Sequence, residues 1–342
     1  MTRRVRLAIT MGDPAGIGPE VALRAVAAHR TPPLEAILVG DPAVWWETAA
    51  RVRLGRALAS ATIAATSALP PRYRVPGRPR GRAAQTACGT AAHAAILEAV
   101  RLVQTGVADG IVTAPICKAH LVAAGCDVPG HTELLSQLCG GVPVRMMMAG
   151  PRLRVVLATT HLALTAVSPA LTVPWVRDTI VLAAAGMRRH FGLRRPRIAV
   201  AGLNPHAGEG GLFGDEETRV IAPAVRAARR AGIAAVGPLA ADSLFPHLAA
   251  GTYDAAVCMY HDQGLAPFKL VHFADGVNVT LGLPFVRTSP DHGTAFDLAG
   301  TGRADPRSMA AALALAAAAG RATTPHATRA CDSPRTRSTL TR

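Results

Sequence analysis

Short apolar runs alternate with longer amphipathic stretches along most of this chain. The short runs are typical of buried strands, and the longer stretches place their apolar residues on one face of a helix. Such alternation is typical of βα units and predicts an α/β fold with a mainly parallel sheet. The predicted strands cover residues 5–10, 36–40, 110–113, 154–159, 197–203, 254–260 and 277–281. The predicted helices cover residues 19–28, 84–104, 172–191, 215–231 and 306–319.

The length of 342 residues favours either two domains or one large α/β unit. Half of the residues are hydrophobic and 17% are charged, so the chain can bury a large core and its bulk is not expected to be disordered. Residues 321–342 differ from the rest, because they are rich in Thr, Arg and Pro and have no apolar periodicity. We predict that this tail is disordered.

The formal net charge of +15 raises the question of nucleic-acid binding. Residues 110–300 contain 16 Lys+Arg and 13 Asp+Glu, so most of the excess lies near the N-terminus, in residues 51–82 and in the tail. These segments contain no recognisable nucleic-acid module and no basic stretch interleaved with aromatic residues. We therefore expect no specific nucleic-acid partner.

Three features predict a cytoplasmic protein. No apolar run approaches the ~20 residues that a membrane-spanning helix needs, so no membrane association is expected. The apolar stretch after the basic N-terminus ends at Gly12, which is too early for a signal peptide. The six cysteines form no C-x-x-C pair, and reduced thiols are usual in that compartment.

Three histidines, His161, His206 and His261, follow predicted strands directly. The carboxyl ends of strands in an open α/β sheet face the ligand crevice, so residues at these positions can converge. Three imidazoles that leave coordination positions open form a catalytic site for a divalent metal. The alternative is that each histidine is a hydrogen-bonding loop residue, and the residues alone leave both interpretations open.

Lysine is rare in this chain, because only Lys118 and Lys269 stand beside 35 arginines. A position that keeps lysine in such a composition is a candidate for a compact ammonium group that a guanidinium cannot replace. Lys269, Asn278 and Arg287 recur every nine residues across strand-like sequence. They could place two cations and an amide around a phosphate or carboxylate. Independent surface residues are the alternative.

Two segments are rich in glycine, residues 10–20, which follow a predicted strand and open a helix, and residues 208–214. Glycines at such positions allow a backbone to approach a ligand closely. Neither segment has the G-x-G-x-x-G spacing of a dinucleotide fingerprint, so no Rossmann site is predicted from them.

Seven motifs occur in order along the chain: Gly-Asp-Pro-Ala-Gly-Ile-Gly-Pro-Glu from Gly12, Thr-Ala-Pro-Ile-Cys-Lys from Thr113, Gly-His-Thr-Glu from Gly130, Thr-Thr-His from Thr159, Asn-Pro-His-Ala-Gly-Glu-Gly-Gly from Asn204, Met-Tyr-His-Asp-Gln-Gly from Met259 and Gly-Val-Asn-Val-Thr-Leu-Gly-Leu-Pro from Gly276. With them the chain resembles the 4-hydroxythreonine-4-phosphate dehydrogenase family of pyridoxal phosphate biosynthesis, from about residue 5 to residue 319. Two features depart from the family pattern. Cys117 stands where Asn or His is usual before the lysine, and the tail has no counterpart.

This resemblance implies a fold similar to isocitrate and isopropylmalate dehydrogenases, with two α/β/α domains around a cleft. Residues 1–128 and 288–320 would form the first domain. Residues 129–287 would form the second, which would carry the metal ligands and the dimer contacts. The resemblance also implies a homodimer whose active sites include residues from both subunits.

The resemblance further implies roles for particular residues. The residues that would bind the divalent metal, whether zinc, magnesium, cobalt or manganese, are His161, His206 and His261. The residues that would bind the phosphorylated substrate are His131, Thr132, Lys269, Asn278 and Arg287. The catalytic candidates are Lys118 and two acids that match neighbours of the metal, Asp242 and Asp262. The catalytic base itself stays unassigned.

The implied reaction is an NAD- or NADP-dependent oxidation of 4-phosphooxy-L-threonine to a 3-keto acid, which loses carbon dioxide to give 3-amino-2-oxopropyl phosphate. Metal coordination of the hydroxyl stabilises the developing alkoxide. Relatives that oxidise other 4-phosphorylated four-carbon acids, such as erythronate or threonate phosphates, or aromatic dihydrodiols, share the motifs. A three-histidine metallohydrolase and a phosphate acyltransferase are the alternatives from other classes.

Overall fold

The computed structural model describes residues 4–30, 33–127 and 130–322. Their strands and helices confirm the predicted α/β class. The strands are β1 (Val5–Thr10), β2 (Leu34–Gly40), β3 (Thr62–Ala65), β4 (Gly110–Thr113), β5 (Arg145–Ala149), β6 (Arg154–Leu157), β7 (Arg197–Ala201), β8 (Ala234–Leu239), β9 (Ala255–Cys258), β10 (Val277–Leu281) and β11 (Val286–Pro290). The helices are α1 (Gly18–Ala28), α2 (Pro42–Arg51), α3 (Gly55–Ala59), α4 (Arg82–Gln104), α5 (Lys118–Ala123), α6 (His131–Leu138), α7 (Val167–Ala170), α8 (Val173–Phe191), α9 (Ala222–Arg230), α10 (Ala241–Ala249), α11 (His261–His272) and α12 (Arg307–Ala322).

The strands form one 11-stranded sheet in the order β3-β2-β1-β4-β11-β10-β5-β6-β9-β7-β8. Neighbours pair in parallel except at three consecutive antiparallel pairings, which join β11 to β10, β10 to β5 and β5 to β6. Because three reversals separate them, the parallel groups on the two sides run in opposite directions. The mainly parallel sheet is confirmed, and the division into two domains stays a prediction.

Every predicted strand and helix has a counterpart, although the helix predicted at 215–231 begins with a π-helical turn, Glu217–Ile221. The sequence pattern misses four strands, β3, β5, β8 and β11. Methionines fill β5, a Gly-Pro pair interrupts β8, and polar residues and a terminal proline occur in β11, all weak strand signals. All five residues of β11 are nevertheless buried, because the strand pairs with β4 and β10.

Two predictions about local structure are wrong. Lys269 lies on α11 and not in strand-like sequence. Gly264 and Pro267 weaken the helical pattern there, but Gly264 allows close packing on the sheet, since a Cβ at this position would lie 2.5 Å from Val155 Cγ1. The tail boundary is also wrong, because α12 continues to Ala322. The remaining tail residues lie outside the described residues.

The apolar core follows the sheet in two clusters. The larger cluster includes residues of β1, α8 and α12, and the smaller one forms around β9 and α11. No helix in the described part of the chain is long and apolar enough to cross a membrane.

His190, in the last turn of α8, gives a prediction about stability. It is buried, and burial, with a smaller contribution from Arg189, lowers its pKa from 6.5 to about 4. As the pH falls below 6.5, the unfolded chain therefore takes up this proton before the folded chain does, and stability is lost. We expect His190 to contribute a loss of roughly 3 kcal/mol in the free energy of unfolding between neutral pH and pH ~4, at about 1.36 kcal/mol per pH unit.

Urea-induced unfolding at several pH values measures this loss. His190→Gln, which cannot take up a proton, should flatten the pH dependence. The control is His247→Gln, because His247 is exposed on α10 and should leave the profile unchanged. The same pH dependence in wild type and His190→Gln would show that another group is responsible.

Candidate functional site

A cleft of about 570 Å³ lies beside the central strands. Its walls come from the segment after β4, the first turn of α6, the segment after β6 and the residues around the end of β11. The predicted site residues that line it are Lys118, His131, Thr132, His161, Asn278 and Arg287. Those that do not line it are His206, His261, Lys269, Asp242 and Asp262.

Arg287 is the most buried cation of the cleft, with 2% of its surface exposed. Its Nη1 donates to Thr280 Oγ1 at 2.9 Å and its Nη2 donates to Thr113 Oγ1 at 2.6 Å. Burial lowers its pKa from 12.5 to about 10, an effect that Glu133 opposes. The guanidinium therefore stays charged at neutral pH, and the described residues form no salt bridge with it. Such a group is suited to an anionic ligand.

Four nitrogen and oxygen atoms of cleft residues are buried and have neither a hydrogen-bond partner nor an ion-pair partner among the described residues. They are His131 Nε2, Asn278 Oδ1, Arg287 Nε and His292 Nε2. Buried polar groups are nearly always paired, so several unpaired ones around one cleft indicate a polar ligand. The unpaired nitrogens suit an oxygen-rich anion.

The first turn of α6 and the first residue of α5 place groups of different charge at one end of the cleft. Burial, followed by the positive charges of Arg287 and Lys118, lowers the pKa of His131 well below 6.5, so its imidazole is neutral at neutral pH. Lys118 and Glu133 both approach Gly130, where a Cβ would lie 3.9 Å from Lys118 Nζ and 3.4 Å from Glu133 Oε2. A ligand here would meet an ammonium, a carboxylate and a neutral imidazole.

Lys269 contacts the cleft through another residue. Its Nζ donates to the backbone oxygen of Asp291 at 3.0 Å and pairs with the Asp291 Oδ2, and Asp291 lines the cleft. Burial raises the pKa of Asp291, and the hydrogen bond from Lys269 opposes that effect. Within one chain, Lys269 is therefore held at the edge of the cleft by an acid.

The three predicted metal-binding histidines follow three adjacent parallel strands. His161 follows β6, His261 follows β9 and His206 follows β7, so all three lie at the same edge of the sheet. The ring centroids of His161 and His261 are 5.8 Å apart. His261 Nδ1 is hydrogen-bonded to Asp262 Oδ1 at 2.6 Å, an arrangement that orients an imidazole with its Nε2 toward a metal.

The single chain does not gather these imidazoles into one coordination sphere. Among the described residues, they do not form a group with ligand atoms all within 4.8 Å of one another. His206 is exposed in the segment Pro205–Gly211 and has a φ of 50°. Glu217 fixes the start of that segment by accepting hydrogen bonds from the backbone N–H groups of Leu203 and Asn204, each at 2.7 Å. The donor chemistry fits a divalent metal, and the metal site stays a prediction.

Comparison with known proteins shows one family over most of the chain. The profile described as "Pyridoxal phosphate biosynthetic protein PdxA" matches residues 34–316. The chain belongs to this family. It is 48% identical over 339 residues to the 4-hydroxythreonine-4-phosphate dehydrogenase of Desulfosudis oleivorans, which covers 92% of this chain and 96% of that protein. The resemblance inferred from the sequence is confirmed.

Solved structures agree with membership of the PdxA family. The 4-hydroxythreonine-4-phosphate dehydrogenase of Klebsiella pneumoniae is 39% identical, has a TM-score of 0.82, and the match covers 94% of this chain and 99% of that chain. A terephthalate 1,2-cis-dihydrodiol dehydrogenase of Burkholderia xenovorans LB400 is 30% identical, with a TM-score of 0.67 and coverage of 92% and 98%.

Several residues that line the cleft of this PdxA-family chain are not among the site residues predicted from the sequence. Arg145 and Trp175 line the cleft, with Arg145 Cζ 3.7 Å from the centroid of the Trp175 ring. No sequence signal links them, since one lies on β5 and the other on α8. Glu133 and Asp291 line the cleft as well. Each lies within four residues of a predicted substrate-binding residue, Thr132 or Arg287, and this proximity in sequence could have identified it.

Asp242, a predicted catalytic candidate, lies away from the cleft lining. It is exposed on α10, and its Oδ1 accepts a hydrogen bond from the Ser243 backbone N–H.

Proposed function

We propose that this PdxA-family chain oxidises 4-phosphooxy-L-threonine with NAD⁺ or NADP⁺ in pyridoxal 5′-phosphate biosynthesis. The resulting 3-keto acid loses carbon dioxide and gives 3-amino-2-oxopropyl phosphate. The observation that carries the proposal is the cluster of unpaired buried polar atoms around Arg287 in a cleft lined by five other predicted site residues. The family name supplies the substrate, and the cleft supplies a place for its anionic groups.

The phosphate would bind where the unpaired nitrogens are. Arg287 supplies a buried positive charge, and His131 supplies a neutral imidazole that can donate a hydrogen bond. Asn278 supplies an amide. Because Thr113 and Thr280 already hold two guanidinium nitrogens of Arg287, the cation is fixed before the substrate arrives. Such preorganisation reduces the cost of ordering on binding.

His161, His206 and His261 would hold the divalent metal, which supplies Lewis-acid stabilisation of the substrate oxygen as the hydroxyl is oxidised. Asp262 orients His261 through their 2.6 Å hydrogen bond, so it is a positioning residue. Lys118 is the catalytic candidate that lines the cleft. Its ammonium can donate the proton that the substrate carbon needs once carbon dioxide has left.

We also propose a homodimer with shared active sites. Large apolar side chains are exposed in the segments that carry the three histidines, and exposed apolar patches mark interaction surfaces. They are Leu162 (48% exposed), Leu212 (74%), Leu270 (88%) and Phe273 (79%). A second copy would cover them and would complete the coordination that the single chain leaves open.

A substrate panel with NAD⁺ and NADP⁺ tests the function. The formation of reduced nicotinamide is followed by its absorbance for 4-phosphooxy-L-threonine, erythronate 4-phosphate, threonate 4-phosphate and an aromatic dihydrodiol. We expect 4-phosphooxy-L-threonine to have the highest kcat/KM, with release of carbon dioxide. A higher value for another member of the panel would replace the proposed substrate, and absence of nicotinamide reduction with all of them would refute a dehydrogenase.

Replacing Lys269 with Ala should lower kcat/KM for the phosphorylated substrate about 10- to 150-fold. The Lys269 ammonium, which Asp291 holds at the edge of the cleft, would donate a charge-assisted hydrogen bond to the phosphate. Its loss from a partly desolvated site costs roughly 1.5 to 3 kcal/mol. Lys269→Arg should also be impaired, because a planar guanidinium does not occupy the position of a compact ammonium unchanged. Steady-state kinetics measures both variants.

The comparison substrate for Lys269→Ala is non-phosphorylated 4-hydroxy-L-threonine, on which the variant should lose little. Asp291→Asn, which removes the acid that pairs with Lys269, separates loss of the ammonium from loss of the pair. Equal losses of kcat/KM on both substrates would mean that Lys269 serves the chemistry or the fold and does not bind the phosphate.

A further inference from the structure

Asp13, Cys117 and His120 form a cluster of potential metal ligands outside the substrate cleft. One ligand atom of each residue lies within 4.8 Å of those of the other two. Asp13 is 0% and His120 is 3% exposed, and Cys117 is partly exposed. None of the three lines the cleft, although Lys118 does. The cluster also shares no residue with the three predicted metal-binding histidines.

The two loops that carry the cluster are fixed against each other by the backbone. The Asp13 N–H donates to the Pro115 carbonyl oxygen at 2.9 Å. Gly12 has a φ of +68°, and a Cβ there would lie 2.3 Å from the same oxygen, so only glycine allows this approach. The backbone itself therefore places the carboxylate of Asp13 beside Cys117 and His120.

The imidazole of His120 is oriented by the buried carboxylate. His120 Nδ1 is hydrogen-bonded to Asp13 Oδ2 at 2.6 Å, and Asp13 Oδ1 accepts from the Ala15 N–H at 3.1 Å. Among the described residues, His120 is the ion-pair partner found for Asp13, with no lysine or arginine beside it. This hydrogen bond fixes the orientation of the His120 ring and the position of the Asp13 carboxylate relative to each other.

The thiol that completes the cluster is that of Cys117 and not that of its neighbour Cys88. Cys88 is fully buried on α4, and burial, followed by the negative charges of Asp13 and Cys117, raises its pKa to about 12. Cys88 is also not among the residues whose ligand atoms all lie within 4.8 Å of one another. Cys117 is partly open to solvent, which gives an ion a path to the cluster.

We infer that Asp13, Cys117 and His120 bind a zinc ion, in a site separate from the substrate cleft. Zinc binds cysteine sulfur, histidine nitrogen and carboxylate oxygen, which are the three ligand types that this cluster supplies. A zinc ion with one thiolate, one carboxylate and one neutral imidazole has no net charge, which suits a buried position. Binding breaks the Cys117 S–H bond and releases its proton to water, so zinc affinity falls as the pH is lowered.

Cobalt titration of the metal-free, reduced full-length chain tests this inference. Only a thiolate ligand gives a sulfur-to-cobalt charge-transfer band in the near ultraviolet, so the three-histidine site does not contribute to it. We expect a band that saturates at one cobalt ion per chain and that zinc displaces. Cys117→Ser should lose the band and one bound metal ion per chain. The matched control is Cys126→Ser, because Cys126 is buried just after α5 and should keep both.

Circular dichroism checks that the Cys117→Ser chain is folded. Asp13→Asn keeps the side-chain size and should weaken cobalt binding while the band remains at saturation. A wild-type chain without the band, or a Cys117→Ser chain that retains it, would overturn the inference. Neither result bears on the proposed dehydrogenase activity, which the substrate panel tests without reference to Cys117.

Discussion

Replacing Arg287 with Met should raise the Kd for 4-phosphooxy-L-threonine about 100-fold or more. Arg287 is the buried cation of the cleft, and its Nε has no partner among the described residues. Loss of its charge-assisted hydrogen bonds to a phosphate costs roughly 3 kcal/mol, and each ~1.4 kcal/mol is tenfold in affinity. Isothermal titration calorimetry measures the Kd, and the fluorescence of Trp175, which lines the cleft, gives an independent signal.

The matched control for Arg287→Met is Arg189→Met. Burial lowers the pKa of Arg189 as well, but its guanidinium donates to the carbonyls of Leu283 and Pro284 and lies away from the cleft. This control should keep wild-type affinity. Unchanged affinity in Arg287→Met, with circular dichroism showing a folded chain, would remove Arg287 from the proposed substrate site.

Replacing His206 with Ala should raise the divalent-metal concentration needed for half-maximal turnover by at least ~10-fold, since even a disturbed outer-shell partner costs that much. Chelation should abolish turnover in the wild-type chain. Added zinc, manganese, cobalt or magnesium should restore it. Initial rates measured across a metal titration give the affinity for each ion.

The control for His206→Ala is His247→Ala, an exposed histidine on α10 that should titrate like wild type. Size-exclusion chromatography of both variants separates a loss of metal from a loss of the proposed dimer. Full turnover in metal-free protein would refute the metal site, and the substrate panel would then decide the activity by itself.

The pattern of residue types predicts the fold class and many of the residues that line the cleft. Seven predicted strands and five helices have counterparts, because period and length report burial on a sheet directly. The pattern does not predict β11, because its five residues are buried between β10, which is near in sequence, and β4, which is distant. The pattern also fails at Lys269. The helix α11 forms despite the weak helical propensity of Gly264, because this glycine allows the helix to pack closely on the sheet.

The order of the motifs also indicates the family. Six of the site residues that this resemblance implies line the cleft. Three features become visible only in the folded chain. Arg287 is buried without a salt bridge among the described residues, Lys269 is paired with Asp291, and Asp13 is hydrogen-bonded to His120. These contacts join residues far apart in sequence. Their energies depend on burial and distance, which no local pattern of residue types records.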